Sequence, residues 1–176
     1  MSELLMVPVS LTAVEFGILK ATINLAIADV SVHKHLAMLR PIVQAVGKKL
    51  KDGSIALMGG SLSQQQVCDM LTVEIRKLNS GAELDQRTTA VLFGALDLTI
   101  LFKSMHLMNS IFGCLDFCGE SVLEHQWRAL VKKLEQACDS WEALAVRRSE
   151  SPVDATSDLR AMSCLSWVLP SVPGLQ

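Results

Sequence analysis

No apolar run in this chain is long enough to span a bilayer. A spanning helix needs about 20 consecutive apolar residues, and the best stretch, Thr88 to Phe112, is broken by Asp97, Lys103 and His106. No membrane span is therefore expected. A secretory leader is not expected either, because the N-terminal region has no basic segment before its apolar stretch, carries Glu3 and Glu15 instead, and shows no cleavage signal. Cysteine is sparse. The five positions, Cys68, Cys114, Cys118, Cys138 and Cys164, are odd in number and lack the dense spacing of a disulfide scaffold. They read as reduced thiols, mostly buried, and these absences together predict a cytoplasmic protein. Charge of either sign is also in short supply. With 16 basic and 18 acidic side chains the formal net charge is −2, so the whole molecule has no pull toward polyanions. This argues against nucleic acid as the principal partner.

Catalytic signatures are absent too. There is no nucleophile elbow, no His-Glu-x-x-His pair and no phosphate loop; Gly59-Gly60-Ser61 lacks the lysine that a phosphate loop requires. A di-iron bundle needs Glu-x-x-His pairs, whereas Glu124 and His125 are adjacent. Cys114 and Cys118 lie near His106 and His125 in sequence, but structural zinc sites usually begin from closer cysteine pairs, and Gly113 and Gly119 suggest thiols flanking a turn. No metal, no cofactor and no catalytic residue is expected, and the chain reads as a non-enzyme.

What the sequence does have is apolar content, 50% of all residues, spaced mostly at three and four positions as in packed helices. Ser10 is read as the cap of a first helix reaching about Asp29, with two apolar stripes and hence contacts on two sides. Leu36, Leu39, Val43, Val46 and Leu50 form a second seam, in which Pro41 marks either a kink or a fresh helix start. Asp52 to Ser63, containing Gly53, Gly59 and Gly60, reads as a loop with room for an extended piece at 54–58. Ser63 should cap a helix over about Gln64 to Leu78, ended by Asn79-Ser80-Gly81. The next helix is expected from about Asp85. Its Thr88-to-Phe112 portion is apolar almost all round, the mark of a helix surrounded by others. Ser121-Val122-Leu123-Glu124 matches a capping box, and Leu123, Trp127, Leu130, Val131, Leu134, Cys138, Trp141 and Leu144 then form one stripe.

The expected fold is therefore all-α: five or six helices bundled around a buried apolar central helix, over residues 1–148. Residues 149–157 (SESPVDATS) read as a linker and 158–176 as a short apolar docking tail. Half of the residues being hydrophobic is more than one small core conveniently hides, so a protein partner or a homo-oligomer is the expected sink. Trp127 and Trp141 are assigned to the core. Leu159, Met162, Leu165, Trp167 and Leu169 are the candidate partner-binding residues, with Trp167 as anchor. The functional expectation is an interaction, adaptor or regulatory protein that recognises a partner, or itself, through an apolar helix face.

Two alternatives follow from other features. The segment His33 to Lys51 is the strongest local charge bias, and Lys34, Arg40, Lys48, Lys49 and Lys51 could hold phosphate groups as in a nucleic-acid-binding regulator. A run of this kind is more often the solvated face of an amphipathic helix. The eight methionines could line the pocket of a small-ligand sensor, although core filling is their commoner use. Residues 63–74 loosely resemble the first helix and turn of a helix-turn-helix reader, with Thr72 where glycine is usual. Asp97 and Lys103, six positions apart on one helix, face opposite ways, and each needs a partner elsewhere.

Overall fold

A computed structural model describes residues 5–113 and 122–148 of the 176-residue chain. The described protein is mostly helical, with one small sheet. Strand β1 (Val7–Thr12) leads directly into helix α1 (Ala13–Val32). A 3₁₀ segment (Lys34–Leu39) precedes α2 (Arg40–Leu57), followed by α3 (Gln64–Ser80), strand β2 (Thr88–Phe93), α4 (Ala95–Gly113) and α5 (Val122–Arg148).

The helical expectation holds in the main, and the small sheet is what the all-α reading leaves out. β1 and β2 pair antiparallel, Val7 opposite Phe93 through Thr12 opposite Thr88. Along β1, Val7, Val9 and Leu11 are buried while Pro8 and Ser10 are exposed. This two-residue period places one face on the core and the other toward solvent. The first helix therefore starts later than Ser10. Thr12 caps it, its Oγ1 accepting from the Glu15 amide (3.3 Å) while Glu15 Oε2 accepts from the Thr12 amide (2.8 Å), a reciprocal pair that satisfies donors the first turn leaves free. Similarly, the apolar stretch from Thr88 is not one helix. Its first six residues form β2, Gly94 is the junction, and the β-branched pair Thr88-Thr89 followed by Ala90-Val91-Leu92-Phe93 suits a strand better than a helix start.

The most enclosed helix is α1 rather than α4. Val14, Phe16, Ile18, Leu19, Ile23, Ala26 and Val30 are all buried, and the helix touches β1, α2, α3, α4, α5 and the 3₁₀ segment. The two stripes read from its sequence account for this. The second helix also outlasts its expected end: residues 54–57 are helical, not extended or looped. Gly53 persists inside the helix because a side chain there would meet Val91 Cγ2 at 2.6 Å and the Phe16 ring at 3.0 Å, so its value is close approach of α2 to β2 and α1. Pro41 sits in the first turn of α2, where its missing amide costs nothing. The third helix follows expectation, with a Ser63–Gln66 capping box and Gly81 at φ 67° closing it. It runs unbroken through Thr72, which leaves no turn for a helix-turn-helix reader. The segment 82–87 is irregular rather than the start of a helix. It is tied to α3 by buried Glu74, which accepts from the Asp85 amide (3.0 Å) and pairs with Lys77 (2.5 Å).

Helix α5 begins at Val122, one residue beyond the serine of its expected capping box; Ser121 lies outside the described residues, as do the linker 149–157 and the tail 158–176. Leu130, Leu134 and Ala137 face the core, with Trp127, Val131, Cys138, Trp141 and Leu144 partly buried beside them. This helix runs along β1. Lys133 Nζ, far away in sequence, donates to Ser10 O (2.9 Å) and to both oxygens of buried Glu15 (2.6 and 2.7 Å), and Trp141 Nε1 donates to Leu5 O (3.0 Å). Trp141 thus has a polar role besides its packing.

Candidate functional site

Two concave regions of the described surface are lined by candidate residues. The first lies between α4 and α5. Phe102 and Met105, one turn apart on α4, face Trp127 and Val131, one turn apart on α5, across a groove of about 520 Å3. The inward stripe of α5 is spent on Leu130 and Leu134, which are fully buried, so Trp127 and Val131 occupy the adjoining face and keep part of their surface in solvent. The rim is charged with both signs. Arg128 pairs with Glu124 across one turn (2.5 Å), and Lys132, Glu135 and exposed His106 continue it. An apolar floor with a mixed charged rim suits an amphipathic helix, whose apolar face needs burial and whose flanks need ion pairs. Trp127, assigned to the core from its position on the stripe, belongs at least as much to this groove.

The second region is a cleft of about 480 Å3 where α1, α2 and the start of α3 meet. Lys48 and Lys51, one turn apart on α2, line it together with Lys20 from α1, whose Nζ lies 3.6 Å from Cys68 Sγ. Lys20, a single cation in an apolar helix, belongs to no charge run in the sequence. Only two of the five expected anion-binding residues line this cleft. Lys49 turns the other way and pairs with Asp97 (2.5 Å), whose carboxylate also accepts from the Gly94 amide (2.8 Å) at the start of α4. Exposed Lys34, on the 3₁₀ segment, and exposed Arg40, at the start of α2, are not part of the cleft lining. The basic run of sequence is thus divided in space, and Asp52 places a carboxylate in the same cleft. Asp97, which needed a partner, has two.

Among the described residues no group of three or more His, Cys, Asp or Glu could hold a metal ion, and Cys114 and Cys118 lie outside them. Cys138 is a poor nucleophile: burial, with Glu142, Asp139 and Glu135 adding to it, pushes its thiol up to about 11. No described helix is long and apolar enough to cross a membrane. The candidate partner-binding residues Leu159, Met162, Leu165, Trp167 and Leu169 lie outside the described residues. Comparison with protein-family models, curated proteins and solved structures gives no match for this chain.

Proposed function

We propose that this chain is a non-enzymatic interaction or regulatory protein of the cytoplasm, built as a helical domain over residues 1–148 with a linker and an apolar tail, and that it takes an amphipathic partner helix into the α4–α5 groove. The observation that carries this reading is the partly exposed trio Phe102, Trp127 and Val131, set over buried Met105 and beneath a rim of both charge signs. Apolar side chains left partly wet in a shaped groove gain by excluding water against a partner, at about 25 cal/mol per Å2 of apolar surface removed. The free thiols Cys68 and Cys138 fit a reducing compartment. The apolar tail, with Trp167 and Leu169, supplies a second contact to the partner.

Site-specific photocrosslinking tests the groove. A photoreactive phenylalanine analogue replaces Trp127 in one preparation and exposed Met38 in another, and the crosslinked peptides are mapped. The reading predicts that crosslinks from position 127 converge on helical segments with an i, i+3, i+4, i+7 apolar pattern. Crosslinks equally frequent from both positions, scattered over unrelated sequences, would remove the groove as a binding site.

A further inference from the structure

The two edges of the small sheet differ. On β1, Pro8 has no amide to offer, the Thr12 amide is held by Glu15 Oε2, and Ser10 O accepts from Lys133. Those three residues therefore turn their backbone groups away from β2 and form the wide, non-hydrogen-bonded positions of the ladder. Their partners Leu92, Ala90 and Thr88 do the same at the opposite edge. Among the described residues no side chain or backbone group outside the sheet bonds to the main chain of Thr88, Ala90 or Leu92, and all three are exposed, Leu92 by 56%. Proteins usually block a free edge with proline, a charge or a covering side chain. β1 has all three, while β2, Thr-Thr-Ala-Val-Leu-Phe, has none.

We propose that β2 pairs with β2 of a second copy, antiparallel about a two-fold axis at Ala90, to give a continuous four-stranded sheet ordered β1-β2-β2-β1. The register follows from the exposed set. Ala90 meets the partner's Ala90, and Thr88 meets the partner's Leu92 on either side, so every outward amide and carbonyl of the three residues finds a partner. The strand carries no charge, so the two-fold sets no like charges opposite one another. On the solvent face Leu92 covers the partner's Thr88, and the exposed edge of Leu96, 37%, lies just beyond it on α4. A second copy is the occupant that the edge itself specifies: it is neutral, β-prone and self-complementary.

Native mass spectrometry and analytical ultracentrifugation of the full chain test this. The wild type is expected to be a dimer at micromolar concentration. Leu92→Lys, an edge charge at an exposed position, should weaken it about tenfold or more with far-UV circular dichroism unchanged. Thr88→Pro, which removes an outward amide and leaves the β1 ladder intact, should do the same if Leu92→Lys folds poorly. Val146→Lys, at a residue 66% exposed on α5, should leave the dimer in place. A wild type that stays monomeric, a dimer indifferent to both edge variants, or an open-ended series of oligomers would overturn the proposal. So would a monomer that binds an extended peptide along β2 in its stead.

Discussion

β1 and β2 have the same length and share one ladder, yet the protein treats them oppositely. β1 is closed on its free side by a helix from the far end of the described chain: Lys133 on Ser10 O and on the Glu15 carboxylate, and Trp141 on Leu5 O. Among the described residues β2 is covered from below, where α2 comes near Val91 at Gly53. The difference teaches that a strand is a structural element or an interaction site according to where its unpaired backbone groups go. On β1 the Thr12 amide and the Ser10 carbonyl are answered by Glu15 and Lys133; on β2 no group among the described residues answers those of Thr88, Ala90 and Leu92.

The largest effect is expected at Lys133. Lys133→Ala should remove about 2 to 3 kcal/mol from the unfolding free energy measured in urea, because it strands the Glu15 carboxylate, 7% exposed, as well as uncovering Ser10 O. Gly53→Ala, beneath β2, should cost about 1 to 2 kcal/mol even though alanine is the better helix former, since the new methyl group collides with Val91 and the Phe16 ring. Trp141→Phe keeps most of the packing and loses the indole donor to Leu5 O; about 1 kcal/mol is expected, and the β1 amides should exchange faster by hydrogen–deuterium exchange while those of α3 do not change.

Helix content was legible in the sequence wherever one face repeats cleanly. The Ser63 cap, the Gly81 stop and the described part of the α5 stripe rest on local rules and stand where those rules put them, while Pro41, open to a kink or a helix start, sits in the first turn of α2. The sheet was not legible, because β2 runs without a polar break into the apolar face of α4, and its pairing partner β1 lies far off in sequence, before α1. The buried central helix was anticipated in kind but assigned to the wrong segment: α1 reads as two stripes, and two stripes joined are an apolar surface nearly all round. Of the groove, Trp127 and Val131 are legible in the sequence as part of a helix stripe, while their opposition to Phe102 and Met105 depends on how α4 and α5 cross. The basic run illustrates the converse limit. Lys48, Lys49 and Lys51 are neighbours in sequence, but helical rotation sends Lys49 to Asp97 and the other two to Lys20. Lys133 and Glu15, 118 residues apart, form a contact that no local pattern announces.

The contrast between the strands is tested most directly by residue-resolved hydrogen exchange of the full chain across a dilution series. The amides of Thr89, Val91 and Phe93 should be protected at every concentration, because they belong to the ladder with β1. Those of Thr88, Ala90 and Leu92 should gain protection only as concentration rises. Protection of the second set that is already complete in the most dilute sample, or absent in the most concentrated, would contradict the assignment of β2 as an open edge that a second copy completes.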